Sequence, residues 1–213
     1  MAERAHPEDP AFQDRRVWRR RLKGLIPWPQ FVRSPWKKGL IARYKFCQCY
    51  AAGKRVLDIP CGVGWGTSLL QGTHQLVGVD LSQEAIEYAR SHYSDKANFM
   101  VGDMRQLPFA DESFDLVICL EGIEHVPVDV GKQFIREAKR VLLPSGQIIV
   151  TNPLPDPKRL PNPYHVYEYK FEELRALLEP WFRTKLCDIR DIGGIPIVYY
   201  LGEVRKGFPH EDA

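Results

Sequence analysis

From about residue 54 the chain repeats one pattern: a short apolar run, then a stretch with helical spacing. The runs are KRVLDIP, HQLVGVD, ANFMVGD, SFDLVICLE and QIIVTNP. Between them, LSQEAIEYARSHY sets Ala85, Ile86 and Ala89 at helical spacing behind Ser82, a suitable N-cap. VDVGKQFIREAKRVLL reads as an amphipathic helix closed by Pro144-Ser145-Gly146. Strands that are continuously apolar and alternate with helices predict an α/β fold: a parallel sheet covered on both faces. KFEELRALLEPWF predicts a further helix ended by Pro180. TKLCDIRDI and IPIVYYLGEV, joined through Gly193-Gly194, predict an antiparallel pair at the sheet edge.

A chain of 213 residues, 44% hydrophobic and 27% charged, predicts one globular domain with some decoration. No apolar run approaches the ~20 residues of a membrane span. The opening AERAHPEDP suits neither a secretory signal nor an acid-poor transit peptide. Cys47, Cys49, Cys61, Cys119 and Cys187 are odd in number and scattered, which predicts reduced thiols and a cytoplasmic protein. Charge is uneven. Residues 15–46 hold eleven Lys or Arg and no acid, so with +3 overall the remainder is net negative by eight. A basic stretch carrying Trp18, Trp28 and Trp36 can meet nucleic acid, a phosphorylated substrate or an anionic membrane surface. Equally, it can be a solvated arm whose tryptophans pack on the main domain.

Gly62, Gly64 and Gly66 follow the first apolar run directly, in VLDIPCGVGWGTSLL. Glycines there let backbone approach a ligand closely. Asp80 ends the second run eighteen residues beyond Gly62, where a carboxylate can take both ribose hydroxyls of an adenosine. Asp103 ends the third, within reach of an adenine amino group. Three strand ends in order predict one ligand crevice.

The ordered stretches DIPCGVGWG, GVDLS, GDMRQLPFADESFDLV and REAKRVLLPSGQIIVTNP resemble the motifs of class I S-adenosylmethionine-dependent methyltransferases. The resemblance covers about residues 52 to 205. It implies a seven-stranded, mostly parallel, doubly wound sheet with an antiparallel edge strand and helices on both faces. It also implies that Asp58 and the loop Cys61, Gly62, Gly64 and Gly66 hold the methionine end of S-adenosylmethionine. Asp80 takes the ribose, Asp103 with Met104 takes the adenine, and Leu81 also binds the cofactor. Leu120 and Glu121 lie near the transferable methyl, and Arg43 and Tyr44 lie where family members cover the cofactor carboxylate. Three parts result: a basic, Trp-containing arm or cap (1–50), the methyltransferase domain (51–205) and a tail (206–213).

EGIEHVP, after the fourth strand, then faces the methyl. An imidazole, with an ordinary pKa of ~6.5, suits proton removal from a hydroxyl, so His125 is the expected base, with His165 and Glu121 as further catalytic candidates. Glu121-x-x-Glu124-His125 also resembles the metal-binding element of small-RNA 2′-O-methyltransferases and a similar element of ubiquinone-biosynthesis O-methyltransferases. That resemblance implies a candidate set of Glu121, Glu124, His125 and His165 for Mg²⁺ or Mn²⁺. The segment 152–169, with five prolines, is expected to be a long connection that lines the acceptor pocket. NPYHVYEY within it resembles the acceptor-lining stretch of methyltransferases of saccharide and natural-product pathways, implying contacts from Tyr164, His165, Tyr167, Glu168 and Tyr169. The leading expectation is O-methylation of a small-molecule acceptor. Metal-assisted RNA 2′-O-methylation is the second, and a non-catalytic cofactor-binding protein is the third.

Overall fold

In the computed structural model, which describes residues 35–160, 162–191 and 194–205, the apolar runs become strands of one seven-stranded sheet. β1 (Arg55–Asp58), β2 (Gln75–Asp80), β3 (Asn98–Val101), β4 (Phe114–Leu120) and β5 (Leu142–Pro153) pair in parallel. β6 (Phe182–Asp191) and β7 (Pro196–Val204) form the expected antiparallel pair. The order is β3-β2-β1-β4-β5-β7-β6, so β7 is inserted between β5 and β6 and runs antiparallel to both.

Helices α1 (Pro35–Ala51) and α2 (Gln83–Tyr93) cover one face; α3 (Val128–Val141) and α4 (Phe171–Leu178) cover the other. Leu116, Ile118 and Leu120 of β4 join the cluster of Tyr44, Cys47 and Ile86. Val117 and Cys119, between them, join that of Phe134, Ile135 and Leu174. Burial on both faces is why β4 reads as an unbroken apolar run and not an alternating one. Strand order reverses between β1 and β4, and the connections leaving their carboxyl ends part there to leave a crevice.

Two boundaries differ from the sequence pattern. α3 stops at Val141, and Leu142 opens β5 by pairing with Phe114. The apolar Val-Leu-Leu run suits either element, and the pairing with β4 decides it. α1 packs Leu40, Tyr44, Cys47 and Ala51 into the core, so the folded unit begins upstream of residue 51. Residues 1–34 of the basic arm, with Trp18 and Trp28, lie outside the described residues, as do Gly193 and the 206–213 tail. Within the described part of the basic stretch, Lys38 and Lys45 are exposed while Arg43 is buried. Ser82 caps α2 as expected, its Oγ accepting from the Ala85 N–H at 3.2 Å. All five cysteines are free thiols. No helix among the described residues is long and apolar enough to cross a membrane.

Candidate active site

A cavity of about 530 Å³ opens at the carboxyl ends of the parallel strands. Such a volume suits a small-molecule site. Its lining includes Cys61, Gly62, Gly66, Asp80, Leu81, Asp103 and Met104; Leu120, Glu121 and His125 follow at the end of β4, and His165 comes from the connection. Asp58 and Gly64 are absent from the lining.

The glycine loop divides its tasks. Gly62 takes a left-handed φ of 55°, and a Cβ there would point into open space. Its N–H donates to Asp80 Oδ2 at 2.9 Å, while the Ser82 N–H donates to Oδ1 at 2.9 Å. The carboxylate is thereby held rigidly at the strand end. Gly64 instead faces the core, where a Cβ would lie 2.7 Å from Phe99. Gly66 admits the Tyr44 ring, which a Cβ would meet at a ring carbon. Asp103 is gripped by its neighbour Arg105, through Nη2 at 2.6 Å and the backbone N–H at 2.8 Å. The hydrogen bonds from Arg105 hold its carboxyl below the usual carboxylate range.

Behind this wall Asp58 is fully buried. Its Oδ2 accepts from Tyr44 Oη at 2.9 Å and Thr67 Oγ1 at 2.6 Å, and Oδ1 has no hydrogen-bond partner. Burial pushes its carboxyl up to about 7. Asp58 is therefore joined to the cavity by its hydrogen bond from Tyr44, which does line it. Thr67 was not foreseen; its position just after the glycine loop was the one available signal.

Glu121 sits in the left-handed region at φ 50°. Its carboxylate pairs with Arg43 Nη2 at 3.0 Å and accepts from Thr151 Oγ1 at 3.2 Å. Buried Arg43 thus claims the acid that the four-residue metal set required. Among the described residues, the metal-type donors that gather are Glu124, His125 and His165, with ligand atoms all within 4.8 Å of one another. Glu124 is completely buried, and neither carboxylate oxygen has a hydrogen-bond partner. Burial first, and then the Glu121 carboxylate, push its carboxyl well above the ordinary range.

The connection is stapled to this floor. The Glu124 carbonyl accepts from the N–H groups of Val166 (2.7 Å) and Tyr167 (3.1 Å), and His125 Nδ1 donates to the Tyr164 carbonyl at 3.0 Å. The His125 and His165 rings meet edge to face, 4.9 Å between centroids. The connection's lining residues are Arg159, Leu160, Asn162 and His165, whereas Tyr164, Glu168 and the other two tyrosines lie off the cavity. Tyr167 and Tyr169 line a separate groove with Lys132 and Trp181, because Asn152 Nδ2 binds the Tyr169 carbonyl at 2.8 Å and draws that end into the core. Arg159 carried no recognisable sequence signal.

An open parallel sheet with a glycine loop and two acids at its strand ends defines a Rossmann-like cofactor-binding protein. Residues 57–150 match the family model described as a methyltransferase domain. A probable S-adenosylmethionine-dependent methyltransferase of Mycolicibacterium smegmatis is 32% identical over 134 residues, 60% of this chain and 51% of that one. A fatty-acid O-methyltransferase of the same organism is 36% identical over 113 residues, 51% of this chain and 40% of that one. Magnesium protoporphyrin IX methyltransferase from Synechocystis, solved with SAH bound, shares the fold at a TM-score of 0.66 and 19% identity, covering 88% of this chain and 93% of that one. The chain spans about half the length, or less, of these curated relatives. Over residues 57–150 the chain is thus similar to the S-adenosylmethionine-dependent methyltransferases.

Proposed function

We propose that the protein transfers the methyl group of S-adenosylmethionine to a hydroxyl of a small molecule, a saccharide or natural-product intermediate, with His125 as the base. The carrying observation is that His125 and His165, rings 4.9 Å apart, share one cavity with the Gly62 loop and Asp80. The open space at Gly62 and the rigid Asp80 carboxylate suit a nucleoside cofactor, with Leu81, Asp103 and Met104 around its base and Cys61, Gly66, Leu120 and Glu121 around its amino-acid end. When bound, that cofactor supplies an electrophilic methyl on a sulfonium. The chain's task is then to hold the hydroxyl in line and take its proton. Because the Tyr164 carbonyl can only accept, the Nδ1 of His125 carries the proton, and its Nε2 lone pair is the basic site. The O-methyltransferase among the relatives supports oxygen as the acceptor atom. Free thiols fit a cytoplasmic setting.

A second reading draws on the unpartnered Glu124 carboxylate. A divalent ion at Glu124, His125 and His165 would satisfy it, and the two imidazoles favour Mn²⁺ over Mg²⁺. Joined to an anionic partner at residues 15–46, this is metal-assisted RNA 2′-O-methylation. A methyl-transfer screen over hydroxyl acceptors and RNA, with metal or chelator, separates the two. We expect chelator-resistant transfer to a small molecule, and His125→Ala to lower kcat by at least about 100-fold with cofactor affinity unchanged. Chelator-sensitive transfer to RNA, falling steeply with salt, would establish the second reading. Cofactor binding with no transfer to any acceptor would leave a non-catalytic binding protein.

A further inference from the structure

His165 is the less conspicuous of the two cavity imidazoles, yet it has the more elaborate support. Its Nδ1 lies 2.6 Å from Glu168 Oε1, and Arg159 Nη2 reaches the same oxygen at 2.5 Å. The three side chains are only 13%, 17% and 22% exposed, so water does little to weaken these charge-assisted contacts. Arg159 is itself anchored at the start of the connection by the Leu154 carbonyl at 3.3 Å. The backbone around His165 is tied as well: its N–H donates to the Asn162 carbonyl at 3.1 Å, and the Tyr164 N–H donates to Asn162 Oδ1 at 3.0 Å. The backbone ties place the residue, the edge-to-face contact with His125 packs against the ring, and Glu168 sets which nitrogen faces a carboxylate.

We propose that Glu168, clamped by Arg159, is the positioning residue for His165: it holds the ring in its Nδ1–H tautomer and thereby presents the Nε2 lone pair at the cavity. A carboxylate can accept but not donate, so the shared proton sits on Nδ1. The arrangement serves an imidazole that receives an acceptor hydroxyl, and so rests on the methyl-transfer reading for its use, though its geometry does not depend on it. The pattern of an imidazole oriented by a carboxylate recurs wherever ring direction and tautomer matter.

The test is made on the full-length protein. Ring ¹⁵N shifts of His165 distinguish the two neutral tautomers whatever the activity. Wild type should show Nδ1–H. Glu168→Met, which keeps bulk and removes the acceptor, should shift His165 towards mixed tautomers, and Glu168→Gln, which keeps an acceptor oxygen, should restore Nδ1–H. With an acceptor in hand, Glu168→Met should lower kcat about 10- to 100-fold, with cofactor affinity unchanged and Glu168→Gln in between. Unchanged ring shifts in Glu168→Met overturn the proposal, as does a kcat within twofold of wild type. Should Glu168→Met fail to fold by thermal unfolding, Arg159→Met is read instead; it frees the carboxylate and must loosen the same tautomer preference. A wild type that transfers no methyl refutes the methyl-transfer reading alone, since the ring shifts still decide the positioning role.

Discussion

The cavity has two walls built by different means. The wall we assign to the cofactor consists of strand ends and backbone: Gly62, Asp80 and Asp103 take their places from β1, β2 and β3, and their polar atoms are held by hydrogen bonds between and beside those strand ends. The wall we assign to the acceptor draws on the irregular 154–169 connection, tied within itself, as by Arg159 with Glu168, and across the chain, as by His125 with Tyr164 and Glu124 with Val166. Ligand groups on regular elements announce themselves by order along the chain. Groups on a long connection are positioned by whatever the connection is stapled to.

The sharpest way to break the contrast is at Arg43 and Glu121, the pair that joins α1 to the end of β4. Arg43 has a side chain 5% exposed, and Glu121→Gln leaves its charge buried without a counterion. We expect a loss of about 3–5 kcal/mol in urea unfolding, and a loss below 1 kcal/mol would show that the pair is not structural. The double variant Arg43→Met/Glu121→Gln should recover much of it.

The next largest effect is pH-dependent. Asp58 has a folded pKa of about 7 against an ordinary 3.8, so the folded protein holds a proton that the unfolded chain releases. The Asp58 contribution to stability is therefore full below about pH 4 and is lost as pH rises towards about 7, by at most about 4 kcal/mol. Asp58→Asn keeps an oxygen for Tyr44 and Thr67 and should flatten this slope in denaturant titrations from pH 4 to 8. A slope equal to that of wild type would place its origin elsewhere.

The smallest effect separates two residues of one loop. Gly64→Ala drives a Cβ against Phe99 and should cost about 1–3 kcal/mol of stability. Gly62→Ala meets no protein atom and should cost less stability, but the new methyl enters the cavity and should weaken cofactor binding by calorimetry. Equal effects of the two on both measurements would erase the division of labour within the loop.

That Gly62, Asp80 and Asp103 line one crevice was readable because its signals are local: an apolar run, a glycine loop and an acid at a fixed distance. The acceptor wall was readable in part. His165 was found by its residue type within the proline-rich stretch, whereas Tyr167 and Tyr169 were expected beside it and face another groove. Glu121 illustrates the limit. Its spacing to Glu124 and His125 suggests a joint site, yet its carboxylate pairs with the buried guanidinium of Arg43 and stands outside the donor cluster of Glu124, His125 and His165.

The sequence by itself determined the α/β class, the strands and helices, and the likeness to methyltransferases over residues 57–150, because hydrophobic periodicity and glycine spacing act over a few residues. Only the tertiary structure decided that Asp58 sits behind the cavity, that α1 belongs to the folded unit, and that Glu168 and Arg159 stand behind His165. Those facts depend on which side chains packing brings together, at separations of 3 residues for His165 with Glu168, 9 for Arg159 with Glu168 and 14 for Tyr44 with Asp58, and such meetings leave no periodic trace in a sequence.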